Sequence, residues 1–484
     1  MIHRILDIAV IGAGPTGLTA ALLLARDGHR VLVCEGDAGP SESAQGSTTW
    51  QRPGVSQFRM AHVLLPRWRH ELEAELSDLV PALVSAGAAP YNLLHQQPAS
   101  VTGGRDPGDE VFDTLAARRP VLEAVLRELA AAEPSIELRE GCPVDGLAMS
   151  ADRSAMTGLM VGASELAADL VIDAAGARSP VRRSLADVTG RPVVRPPVEN
   201  RLTYFGRWFE APTAPPRLGP LLVNHPSWSL LTLPSDGGAY AVVLVVGPRD
   251  RPARDLHDPE RWTAAVRCDP VGAAWLEHGR PIGDVEVHGG FDRVPTGDDV
   301  RIAGLVSVGD AAAVTNPLLG RGLSIGAIGA ITLRDVLRGG FRDRTELHEA
   351  HRVAHGARVA GWMGNTAWLV RNRAAEMHAQ AEGRPYRPDD PAWAMATALR
   401  AGAGHDPVLA RAQARLASLL ATPAEVFGDA EVSVRARRFI GAPPAPEAPD
   451  RADLLAAIAG TPPTSPTGEE PSTTQGVHHV RISV

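Results

Sequence analysis

The chain has 484 residues, 44% hydrophobic and 21% charged, with a formal net charge of -8. That length holds two or three domains of ordinary globular composition. The negative balance excludes a nucleic-acid surface built on basic residues, and all 48 basic residues are arginine, which excludes chemistry that needs a lysine amine.

The elements begin with Ile5 to Ile11, a continuous apolar run with β-branched residues, as expected of a strand buried on both faces. Thr16 to Arg26 reads as a helix rich in Ala and Leu and closed by Gly28. Arg30 to Glu35 is a second buried strand, so the segment forms a βαβ unit. The longest later apolar run, Leu18 to Ala25, is far short of a membrane span. Cys34, Cys142 and Cys268 are too far apart in sequence for a metal site or redox pair; without a signal peptide they point to a reducing cytoplasm.

Residues 36–65 read as loop and 66–87 as helical, followed by a helix from Pro120 to Ala132 and hairpin strands from Ile136 to Val161. "ADLVIDAAG" is a further apolar strand ending in a small-residue turn. Strand-like runs broken by Pro and Gly between about 195 and 295 predict an inserted, mainly antiparallel sheet. "VRIAGLVSVG" returns to a buried strand, Gly322 to Leu337 reads as a helix, and 341–382 as a long amphipathic helix. Its His and Arg cluster at 348–358 is expected on a solvated face. Helices follow to about 460, and the Pro, Thr and Ser-rich tail is expected to be disordered.

Two stretches carry chemistry. Gly12, Gly14 and Gly17 form G-x-G-x-x-G between strand and helix, giving a tight turn, a close approach for a pyrophosphate and close helix packing. The helix start favours an anion by about 0.3–1 kcal/mol, or up to ~2 when partly buried. Glu35 follows at the spacing suited to an adenosine ribose hydroxyl. This pattern alone does not separate FAD from NAD. The second stretch, "SVGDAAAVTNPLLGRG" at 307–322, decides for FAD, whose ribityl chain and ring extend beyond the first βαβ unit. Asp310 lies at a strand's carboxyl end, where ligands bind in open α/β sheets, and can accept from a ribityl hydroxyl. Pro317, Gly320, Arg321 and Gly322 lead into a helix whose amino end suits negative charge on a reduced ring.

The order G-x-G-x-x-G, then D-x-x-G-x-x-S, then G-D with N-P-x-x-G-x-G, resembles the FAD-dependent monooxygenases of the p-hydroxybenzoate hydroxylase type. The loop "RPGVSQFRMAHVLLP" resembles a branch of natural-product tailoring oxygenases and polyether-type epoxidases. The resemblance implies an α/β fold: a Rossmann-like FAD-binding domain (1–194 and 296–340), an inserted β-sheet substrate domain (195–295), a helical region (341–460) and a tail (461–484). It places Arg119, Arg52 and Gln57 beside the cofactor, with Pro317, Gly320, Arg321 and Gly322 against the flavin.

The middle motif departs from the family: Ala175 stands where an Asp is usual, and Asp173 lies two residues earlier. The implied donor is NAD(P)H or reduced flavin from a separate reductase, with O2 as co-substrate. The implied reaction is hydroxylation or epoxidation of a mainly apolar small molecule through a flavin hydroperoxide. A flavin-dependent reductase or desaturase acting without oxygen transfer is the alternative; halogenation is disfavoured, because that resemblance requires a lysine and a W-x-W-x-I-P stretch and neither occurs. His62 is the catalytic candidate, and Tyr204, Trp208 and Trp228 are candidates for the substrate pocket.

Overall fold

Five parallel strands form the central sheet in the order Leu305–Ser307, Leu170–Asp173, Asp7–Ile11, Arg30–Cys34 and Ile136–Arg139. The computed structural model describes residues 4–40, 50–190, 202–289, 302–442 and 449–460, apart from positions 214, 216, 217 and 248. Alternate residues of the central strand point to opposite faces. Ile8 and Val10 pack on helices Pro15–Arg26, Arg119–Ala132 and Gly322–Gly339, which carry the largest apolar core. Ala9 and Ile11 pack instead against a three-stranded antiparallel sheet of Gly146–Met149, Met156–Val161 and Ser164–Ala167.

Ile136–Arg139, expected in a hairpin, is a parallel edge strand beside Arg30–Cys34. It follows directly on a helix, so the crossover returns it to the main sheet. The helical stretch expected at 66–87 is two short helices, Pro66–Leu72 and Leu79–Ser85.

The segment after 202 builds a five-stranded antiparallel sheet, ordered Leu222–Asn224, Trp228–Pro234, Ala239–Val246, Thr203–Glu210 and Arg280–Gly289. Its two faces divide by strand parity. Tyr204, Leu231, Val243 and Val245 meet Leu318, Val370 and Met377. Phe205, Trp228, Leu230, Val242 and Leu244 pack on helices Pro259–Arg267 and Pro270–His278. The last described helix, Arg451–Ala459, completes that second core through Leu454 and Ile458, so this helix packs back on the inserted domain. The expected boundaries at 194/195 and 295/296 and the tail 461–484 lie outside the described residues.

Arg344–Ala381 is one helix of 38 residues, capped by Asp343, which accepts from the Thr345 and Glu346 amides. Its 348–358 stretch is not a solvated face. His351 is buried and stacks on His355, His348 bonds to the Leu305 carbonyl, and Arg358 pairs with Glu71. The helices that follow begin with a side-chain cap and proline, at Asp390-Pro391, Asp406-Pro407 and Thr422-Pro423. Among the described residues, no helix is long and apolar enough to cross a membrane.

Candidate functional site

The first glycine turn is fixed by its own sterics. Gly12 has φ +99°, and a Cβ on Gly17 would lie 2.0 Å from the Gly12 carbonyl oxygen. A Cβ on Gly14 would meet only the Arg119 Nη2, at 3.8 Å. The backbone at Gly14 is therefore open on the side where it lines the cavity. Helix Pro15–Arg26 starts at Gly14 with no side-chain cap and no acid in its first turn. Its unpaired first-turn amides and dipole suit an anion.

The turn is held from behind by buried ions. The Ala13 amide donates to Glu35 Oε2 at 2.8 Å, and the Ala13 carbonyl accepts from Arg127 Nη1 at 2.7 Å. Glu35 also accepts from the Asp37 amide at 2.9 Å and pairs with Arg52. Arg52 Nη1 reaches Glu123 at 2.5 Å, and Arg119 Nε reaches the same carboxylate at 2.6 Å. Burial alone would lower the Arg52 pKa, but Glu123 and Glu35 outweigh it and raise it. Burial likewise opposes the charge on Glu123, and the neighbouring Arg119 and Arg52 hold its carboxyl below the ordinary value. With about four acceptor positions on a carboxylate, these three contacts leave Glu35 one acceptor position. Sequence reading missed Glu123 and Arg127. Their signal was Arg119, Glu123 and Arg127 spaced by four on an otherwise apolar helix face.

The late turn lies beside the first one. A Cβ on Gly326 would sit 2.2 Å from Thr16 Oγ1, so helix Gly322–Gly339 crosses the first helix at close range. Asp310 lines the cavity, and burial pushes its carboxyl up to about 6, with Arg119 pulling the other way. Arg321 donates to Asn365 Oδ1 at 2.9 Å and Thr366 Oγ1 at 2.8 Å. Its Nε has no hydrogen-bond partner among the described residues, and burial lowers its pKa to about 10, leaving it charged. Pro317, Gly320 and Gly322 line the same cavity. The expected middle motif closes on itself: Asp173 accepts from Ser179 Oγ at 2.7 Å and from the Ala175 amide at 3.1 Å.

The raised Asp310 pKa gives a pH prediction. In the unfolded chain this carboxyl titrates near its ordinary value of about 4. Its contribution to stability is therefore complete below that value and is lost as pH rises through about 6. Asp310→Asn is expected to flatten the fall in flavin-free stability between pH 4.5 and 7.5, as read from urea midpoints. Parallel curves for the two proteins would refute it.

A single cavity of about 1620 Å³ joins both turns to a second chamber lined by the antiparallel sheet and the C-terminal helices. That exceeds the ~300–1,000 Å³ of one drug-sized ligand and leaves room for cofactor plus substrate. Arg52, Gln57, His62, Arg119 and Tyr204 line it. Tyr204 donates to Asn316 Oδ1 at 2.7 Å, tying the sheet to the late turn. His62 Nδ1 bonds to the Met60 carbonyl at 2.8 Å, so Nδ1 carries the proton and Nε2 is an acceptor. Burial, aided by Arg119, lowers its pKa to about 4, so the ring is neutral at pH 7. Trp228 does not reach the cavity: it faces the helices by strand parity and is fully buried, stacked on His225. Trp208 lies on the cavity-side parity, but its indole donates to the Arg59 carbonyl at 2.7 Å, outside the main chamber.

The open turn, the uncapped helix, the unpartnered Arg321 Nε and the long cavity together fit an FAD. A model of the family described as FAD binding domain matches residues 6–344. A search of curated proteins found no matching relative. Among solved structures, pqsL, a probable FAD-dependent monooxygenase from Pseudomonas aeruginosa, is 20% identical, with 78% of this chain and 96% of that one covered at a TM-score of 0.57. OxyS anhydrotetracycline hydroxylase from Streptomyces rimosus is 20% identical, covering 86% and 76%, at 0.54. The myxobacterial chondrochloren halogenase CndH is 17% identical, covering 92% and 99%, at 0.58. At these identities the likeness establishes the fold. The chain belongs to the FAD binding domain family.

Proposed function

We propose that the protein inserts one oxygen atom, by hydroxylation or epoxidation, into a mainly apolar small molecule in natural-product biosynthesis. The observation that carries this reading is the continuous cavity from the glycine turn to an apolar chamber under the antiparallel sheet. When bound, FAD supplies reducing equivalents and activates dioxygen. The chain's own residues bind, orient and exclude water. The Gly14 turn receives the pyrophosphate, and Asp310 receives a ribityl hydroxyl. Arg321 and the amino end of helix Gly322–Gly339 stabilise negative charge on the reduced ring. Neutral His62 presents Nε2 as an acceptor to a substrate hydroxyl, and the apolar walls keep water from the reacting centre.

Two of the structural relatives are described as a probable monooxygenase and a hydroxylase, which supports oxygen insertion. The halogenase likeness carries less weight for a chain with no lysine. The donor is NAD(P)H or reduced flavin from a partner reductase, and rapid bleaching of bound flavin by NADPH alone would select the first. Three unpaired cysteines suit a reducing cytoplasm. The test is turnover under isotopically labelled dioxygen with candidate apolar substrates. One labelled oxygen atom in the product is expected. Equal turnover without oxygen would replace this reading with a reductase or desaturase.

A further inference from the structure

The cavity's far end has no lining carboxylate, whereas its cofactor end has three among its arginines. Glu35, Asp37 and Asp310 are its lining carboxylates, and all three lie on the βαβ unit and the late turn. Around helix Pro391–Gly402 the ionisable lining residues are Arg373 and Arg400. Arg373 is fully engaged. It donates to the His225 carbonyl at 2.5 Å, to Ser229 Oγ at 3.0 Å and to Glu376 at 2.5 Å. That takes up Glu376, the carboxylate whose charge also acts on Arg400.

Arg400 has no such partner. Its guanidinium lies over the Trp393 ring, 5.7 Å from the centroid, and makes no hydrogen bond or ion pair among the described residues. The walls beside it are apolar: Trp368, Leu369, Met395, Leu399 and Phe427. Burial lowers its pKa to about 10, so it stays charged at neutral pH. Glu376 acts on it only at a distance and Arg373 opposes that pull, so a partly buried cation faces an apolar chamber with no carboxylate in contact, a cost that an incoming anion removes. The planar fork of donors matches a carboxylate in two-point geometry.

We propose that this end of the cavity is an anion subsite, in which Arg400, lying over Trp393, binds the carboxylate of an otherwise apolar substrate. The proposal rests on the reading of the cavity as a substrate site and narrows the substrate class to apolar acids. Binding fixes one end of the molecule at Arg400 and leaves its apolar body for the chamber under the antiparallel sheet.

The experiment compares decanoate with decanamide, which has the same chain and no charge. Each is titrated into the purified protein, flavin-free and flavin-loaded, by tryptophan fluorescence and calorimetry. Decanoate is expected to bind about tenfold tighter than decanamide at pH 7, the scale of one charged hydrogen-bonded contact. Arg400→Gln is expected to remove that preference while leaving decanamide affinity and the melting temperature unchanged. Equal affinities in the native protein, a preference that survives R400Q, or no binding of either probe would overturn the proposal. The readout needs neither reduction nor oxygen. A failure of the oxygenase reading therefore leaves it intact, and oxygenation without a carboxylate preference sinks only the subsite.

Discussion

Glu123→Ala is expected to destabilise the flavin-free protein by about 3–5 kcal/mol and to abolish retention of FAD, because it strips the counter-ion from a buried cluster. The Glu123 side chain is fully buried, with Arg52 at 2.5 Å, Arg119 at 2.6 Å and Arg127 at 3.7 Å. After the change Arg52 keeps Glu35 and Arg127 keeps Glu140. Arg119, by contrast, is left without an ion-pair partner among the described residues. The damage reaches the cofactor turn by two routes. Arg127 holds the Ala13 carbonyl at 2.7 Å, and Arg119 stands beside Gly14. Glu123→Gln keeps the shape and part of the hydrogen bonding, so it should fall between the native protein and the Ala variant. Urea denaturation and flavin retention on desalting provide the readouts. A loss below about 1 kcal/mol, the scale of an exposed pair, would mean the cluster does not brace the turn.

What could be read from the chain was local. The βαβ unit was legible because its strands are unbroken apolar runs and its turn requires glycine at fixed offsets. The late turn was legible for the same reason, and the 38-residue helix through its periodicity. The ionic brace behind the turn was not, since its contacts join residues far apart: Arg52 and Glu123 are separated by 71 positions, and Ala13 and Arg127 by 114. Sheet register decided the aromatic candidates. Tyr204 pairs with Val245 and Trp228 with Val246, which puts the two rings on opposite faces of one sheet. Composition alone cannot reveal that. The His and Arg cluster at 348–358 misled for a related reason. Its polar side chains find carbonyl, ring and carboxylate partners on neighbouring elements, so a polar stripe became a packed face.

Gly17→Ala and Gly14→Ala should separate folding from cofactor binding, though both remove a glycine from the same turn. At Gly17 the new methyl would lie 2.0 Å from the Gly12 carbonyl oxygen and 3.2 Å from the Ala174 Cβ. The first neighbour is backbone in a turn at φ +99°, so relief requires the helix to move off the sheet. Overpacking of this kind costs about 1–3 kcal/mol, at the upper end where backbone must shift. G17A is therefore expected to lower the urea midpoint of the flavin-free protein and to weaken FAD binding together. At Gly14 the methyl meets only the far end of a flexible arginine, at 3.8 Å. G14A is expected to fold with native stability and to lose FAD affinity by about tenfold or more, since one methyl blocks the closest approach of the pyrophosphate. Fluorescence titration of FAD beside denaturation of the flavin-free proteins distinguishes the outcomes. Loss of stability in G14A, or native FAD affinity in both variants, would place the pyrophosphate away from this turn.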